Sequence, residues 1–112
     1  MPLWSLASVE DEPSVTLISW SILEIDAGTR HFVGTDPFDF SGRVSSAVVS
    51  FDREHLKGQT QSGRIYQLAR DRGFSSNAQY VWARWCEINE VSSYKDVTDQ
   101  VLAGYAPGFE EH

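Results

Sequence analysis

The stretch SVTLISWSILEID, residues 14–26, constrains the fold more than any other part of this chain. β-Branched and large apolar residues dominate it, which favours an extended strand. A period-two reading puts Ile18, Trp20 and Ile22 on one face, and Val15, Leu17, Leu23 and Ile25 on the other. Apolar residues on both faces are what a central strand requires. The sheet must therefore grow on either side of this segment.

Three further strands follow by the same reasoning. AGTR turns the chain, and residues 29–35 return as the second arm of a hairpin. The loop TDPFDFSG is bounded by Asp-Pro and Ser-Gly, both turn signals. Residues 43–52 read as a third strand, with Ala47, Val49 and Phe51 alternating onto one face, and residues 64–69 as a fourth. The tripeptide Ser-Gly-Arg occurs twice, at 41–43 and 62–64, each time where a loop hands over to a strand. It reads as punctuation: glycine supplies a positive φ, and arginine begins the exposed side of the strand.

The hydrophobic period then changes. Ala78, Val81, Trp82, Trp85 and Ile88 recur at helical spacing, with Ser75, Ser76 or Asn77 available to cap the amino end. In the tail, Ser93-x-x-Asp96 precedes Val97, Val101 and Leu102, a pattern that fits a last helical turn or a short edge strand. Gly104, Pro107 and Gly108 should end ordered structure. The expected architecture is α+β: an antiparallel meander of about four strands with one C-terminal amphipathic helix packed on a face. Residues 1–13 read as a flexible acidic arm and 14–112 as a single domain.

Length and composition suit that picture. A chain of 112 residues buries roughly 65% of its unfolded surface, enough for one core without staples. The lone cysteine, Cys86, excludes an internal disulfide and a multi-cysteine zinc site, and it suits a reducing, cytoplasmic compartment. No basic segment with an apolar core opens the chain, and no stretch approaches the ~20 apolar residues of a membrane helix, so no membrane is expected. The net charge of −7 is distributed unevenly, with −5 in residues 1–29, +2 in 30–83 and −4 in 84–112. Such a field repels phosphate backbones and attracts basic surfaces.

Catalytic chemistry is hard to find. The histidines His31, His55 and His112 form no helical i, i+4 pair, so neither a metal site nor a cofactor is expected. No nucleophile elbow, phosphate loop or dinucleotide fingerprint is present, and no catalytic residues are assigned. The alternative is a small enzyme or ligand-binding domain with a pocket between the sheet and the Trp82/Trp85 helix, using His31, His55 or Cys86. Cys86 on such a helix is more often a small core residue than an activated thiolate.

Arg64, Tyr66, Leu68 and Arg70 share one strand face, with Arg72 nearby, a pattern some single-strand binders use. Within a −7 chain the footprint is weak. The favoured reading sends Tyr66 and Leu68 to the core and pairs the arginines with Asp71, Glu87 or Glu90, with no direct nucleic-acid contact.

The better candidate is the loop TDPFDFSG, in which Phe38 and Phe40 alternate with Asp36 and Asp39. Exposed aromatics ringed by charge anchor protein–protein contacts, so these four residues are assigned to partner binding. Trp4 and Leu6 beside Glu10-Asp11-Glu12 offer a second apolar pair that could order on a partner.

Read at residues 30–34, 42–52, 60–68, 80–85 and 96–98, the run RHFVG, GRVSSAVVSFD, TQSGRIYQL, YVWARW and DVT resembles small proteins carried on proteobacterial prophages and integrative elements. The resemblance covers roughly residues 19–102, and its motifs are turn-and-strand patterns that carry no site residues. It implies a mobile-element accessory protein, similar in character to anti-CRISPR proteins and other inhibitors of host defence. Its partner would be a basic nucleic-acid-binding protein or a CRISPR–Cas complex. A homodimer through an edge strand or the aromatic loop would explain the same features.

Overall fold

The computed structural model describes residues 13–69 and 72–103. The chain is α+β, as expected, but the described residues form seven strands and two helices rather than four and one. In order these are β1 (Ser14–Ile25), β2 (Arg30–Thr35), β3 (Gly42–Val44), β4 (Val48–Asp52), β5 (Lys57–Thr60), β6 (Ile65–Leu68), α1 (Ser76–Ile88), β7 (Tyr94–Asp96) and α2 (Thr98–Leu102).

The sheet runs β3-β2-β1-β6-β5-β4, with β7 also paired to β1. It is mixed, because β1 and β6 lie parallel while every other strand pair is antiparallel. Two three-stranded meanders, β1-β2-β3 and β4-β5-β6, are thus joined through β1. The break between them falls at Ser45, within the segment expected to be one continuous strand. Its N–H donates to the Phe32 carbonyl (2.9 Å) and its hydroxyl accepts from the Phe32 N–H (2.9 Å), so one serine completes both hydrogen bonds of Phe32. The chain then leaves β2 and starts the second meander.

β1 is central, and it also carries an irregularity that strict alternation could not foresee. Its register with β2 shifts between Ile18 and Ser21, and Ser19 adopts φ 47°. A bulge of this kind reverses the parity of every later side chain. Val15, Leu17, Trp20 and Ile22 therefore share one core with Phe32, Tyr66 and Leu68, whereas Leu23 joins Val33 on the opposite face. A second register shift between Val48 and Ser50 turns Val49 outward, where an alternating strand would have buried it, and leaves Val48 and Phe51 against the core.

Each face of the sheet has its own cover. On the first, the sheet curls until the Phe32 ring lies 5.6 Å from Tyr66 on β6 and 5.8 Å from Phe51 on β4. Val97, immediately before α2, and Val101 within it close this core. The tail thus forms both a strand and a helical turn. Ser93 does not cap α2, whose N-cap position is Val97; the Asp96 carboxylate accepts from the Thr98 N–H (2.9 Å), and the Thr98 hydroxyl accepts from the Ile22 N–H (2.9 Å). On the second face, α1 buries Ala78, Val81 and Trp82 over β2 and β3, with Trp85 half-buried and Ile88 exposed. Ser75 caps the helix by accepting from the Ala78 N–H (3.1 Å).

The arm lies outside the described residues, except that Pro13 already belongs to the sheet, its carbonyl accepting from the Ile65 N–H (2.8 Å). Trp4, Leu6, Arg70, Asp71, Gly104, Pro107, Gly108 and His112 also lie outside them. No helix among the described residues is long and apolar enough to cross a membrane.

Candidate functional site

β2 ends at Thr35, whose hydroxyl bonds to that of Ser75 (2.7 Å), so the end of the sheet is tied to the start of α1. The loop between β2 and β3 grows from this point. The Asp36 N–H donates to the Ser41 carbonyl (2.9 Å) and the Phe40 N–H to the Asp36 carbonyl (2.7 Å), closing the loop on itself. Asp36 Oδ1 accepts from the Phe38 N–H (2.9 Å), and Oδ2 pairs with Arg43 Nη1 (3.1 Å). Asp39 Oδ1 accepts from both the N–H (3.0 Å) and the hydroxyl (2.8 Å) of Ser41. These hydrogen bonds, the backbone one foremost, hold the Asp39 carboxyl below the usual carboxylate range. From α1, the Asn77 amide donates to the Phe40 carbonyl.

The four residues assigned from sequence therefore divide. Asp36 is buried beneath the loop with Arg43, and it builds the loop from inside instead of standing at its rim. Asp39 is exposed. Phe38 is 92% exposed and Phe40 60% exposed, the latter with φ 61°. A bulky side chain in the left-handed region is uncommon and costs on the order of 1–3 kcal/mol. Here the surrounding hydrogen bonds over-determine that conformation.

Between this loop and α1 lies a largely apolar groove of about 410 Å³. Phe40 and Asp39 form one wall, Tyr80 and Trp85 the other, and Val44 and Val81 also line it. Its depth depends on Gly42. A Cβ there would lie 2.4 Å from the Asn77 carbonyl oxygen and 2.9 Å from Val81, so the missing side chain lets α1 approach β3 this closely. Gly42 does not adopt positive φ, contrary to the punctuation reading, whereas Gly63 does, at 92°. The arginine part of that reading is also corrected, since Arg43 and Arg64 are both buried.

Sequence reasoning missed Tyr80, Asn77 and Gly42 as contributors to the groove. Tyr80 had a signal: it is a large aromatic on the helix but off its apolar stripe, and it is 59% exposed.

The other candidates are placed differently. His31 is buried, its Nδ1 bonded to the Ser45 carbonyl (2.9 Å) and its Nε2 to the Thr29 hydroxyl (2.8 Å). Burial lowers its pKa, and its ring packs 4.7 Å from that of Trp85. Cys86 packs at the edge of the same core, where burial, and to a lesser degree Asp26, raises its pKa. This is the opposite of thiolate activation. His55 sits in the β4–β5 turn, far along the chain from both, with Nδ1 2.7 Å from Asp52. Asp52, Glu54 and His55 offer ligand atoms within 4.8 Å of one another, but all three are exposed. Asp52 also accepts from the N–H groups of Glu54 (3.0 Å) and His55 (3.3 Å), which accounts for the cluster as turn closure. On β6, Tyr66 and Leu68 are core residues and Arg64 is buried, so the described residues of the expected basic face do not present one; Arg72 pairs with Asp99, not with Glu87 or Glu90.

No protein-family model, curated protein or solved structure matches this chain.

Proposed function

We propose that this is a binding protein that docks a larger protein partner on the Phe38/Phe40 loop and the groove beside it. The observation that carries this reading is the loop itself. Two phenylalanines face solvent on a backbone held by at least six hydrogen bonds and ion pairs, one of them at positive φ. Preorganised rings bind without the ordering cost of a mobile segment, and aromatic anchors dominate interface energetics. The net charge of −7 favours a basic partner by steering the encounter. Together with the resemblance to mobile-element proteins, this supports the finer reading of an anti-CRISPR-like or other anti-defence inhibitor, acting in the cytoplasm on a nucleic-acid-processing complex. The enzyme alternative is the weaker one, because His31 has both ring nitrogens engaged and burial raises the Cys86 thiol pKa, away from thiolate activation.

The test uses a photo-crosslinker at position 80, Tyr80→p-benzoylphenylalanine, in host lysate at low salt. A basic nucleic-acid-processing protein should be captured, and the Phe38→Ala/Phe40→Ala variant should lose it. Equal capture by both proteins would overturn the reading.

A further inference from the structure

The groove has a chemistry more specific than apolar docking. Its walls place a carboxylate, Asp39, beside three aromatic rings, Phe40, Tyr80 and Trp85, over an aliphatic surface from Val44 and Val81. Asp39 spends Oδ1 on Ser41, and no hydrogen bond of Oδ2 is seen among the described residues. Among the described residues Arg43 is the cation that lines the groove; it is buried and ion-paired with Asp36, and its attraction is the smallest of the influences that lower the Asp39 pKa, so the exposed Asp39 carboxylate keeps most of its charge for a ligand at the rim. A carboxylate and aromatic faces around an aliphatic surface match one kind of side chain: a long alkyl stem ending in a flat cation. Arginine fits better than lysine, because a guanidinium stacks on rings and pairs with a carboxylate at once.

We propose that the groove is a receptor for a single arginine side chain presented by the basic protein partner. The stem lies along Val44 and Val81, and the guanidinium lies between Asp39 and the Phe40 and Tyr80 rings. The inference rests on the docking reading above, and it adds which residue of the partner is recognised. Phe38, at the loop tip and outside the groove lining, contributes apolar contact beyond the arginine.

The experiment titrates the isotope-labelled protein with N-acetyl-arginine N-methylamide and follows backbone amide shifts. The citrulline and norleucine counterparts serve as controls, the first removing the charge and the second the whole polar head. Arginine should shift the amides of residues 39–44 and 77–85 and bind about fivefold more tightly than either control, the scale of an exposed cation–aromatic or surface ion-pair contact. Asp39→Asn retains an oxygen for Ser41, so the loop keeps its shape, and the preference over citrulline should disappear. Tyr80→Leu should weaken arginine binding while leaving norleucine binding unchanged. Norleucine binding as tightly as arginine would overturn the arginine assignment and leave the docking reading intact. Absence of any shift at these amides would also overturn it, and the crosslinking comparison would then judge the docking reading by itself.

Discussion

The loop at residues 36–43 and the turn at residues 60–64 both leave through Ser-Gly-Arg, yet the same tripeptide serves different ends. At the turn, Gly63 has φ 92° and open space around its Cα, and the Gly63 N–H closes a tight hairpin on the Thr60 carbonyl (2.8 Å). At the loop, Gly42 is a strand residue whose missing side chain admits the backbone of α1. One glycine answers a local need for an unusual torsion, and the other a long-range need for close approach. The difference comes from what packs above each site. Only the loop carries exposed phenylalanines and a groove.

Substitutions should separate the two segments in order of size. Removing the loop's buried carboxylate, Asp36→Ala, takes one ion-pair partner from the buried Arg43, which keeps a further interaction, and should cost about 3 kcal/mol in urea unfolding. A loss below ~1 kcal/mol would mean that the pair does not build the loop. Gly42→Ala forces a methyl against the Asn77 carbonyl and should cost about 1–3 kcal/mol, as overpacking does. It should also lift α1 from β3, which amide shifts of residues 77–81 would report. Gly63→Ala meets no atom and strains only its torsion, so about 1 kcal/mol is expected, with no change at α1. If the two alanine variants behave alike, the comparison fails.

This contrast also marks what could be read from the chain. The helix over Ala78–Trp82, a cap among Ser75, Ser76 and Asn77, of which the structure selects Ser75, and the central position of β1 were legible, because each rests on local periodicity or capping chemistry. The parallel β1–β6 pairing was not, since hydrophobic alternation carries no information about strand direction. Nor were the bulges at Ser19 and Val48, where one residue reverses the facing of all that follow. At the site, Phe38 and Phe40 could be picked out by turn residues on either side. The role of Asp36 could not, because its partner Arg43 looked like the exposed start of a strand. The groove itself needed α1 in place, and nothing in the loop's own sequence announces it.

A smaller effect comes from β2, the strand that leads into the loop. His31 is held neutral by burial, so its folded pKa lies below its unfolded value near 6.5. The unfolded chain therefore binds more protons below that pH. Stability is full above about pH 6.5 and declines as pH falls from there towards the folded pKa. His31→Asn keeps an N–H for Ser45 and should flatten this slope in thermal melts between pH 7 and 5. An unchanged slope would assign it to other groups.

Phe38 and Phe40 are exposed, and the proposal is that they serve a partner and not the core. It is tested most directly by comparing the Phe38→Ala/Phe40→Ala variant with the parent in two readings, thermal midpoint and affinity for the crosslinked partner. Surface rings should leave stability within about 0.5 kcal/mol, while interface anchors should each cost ~2 kcal/mol or more in affinity. An unmoved midpoint and lost binding are expected. A midpoint lowered by the 3–5 kcal/mol typical of a truncated buried phenylalanine, or binding that survives both substitutions, would contradict it.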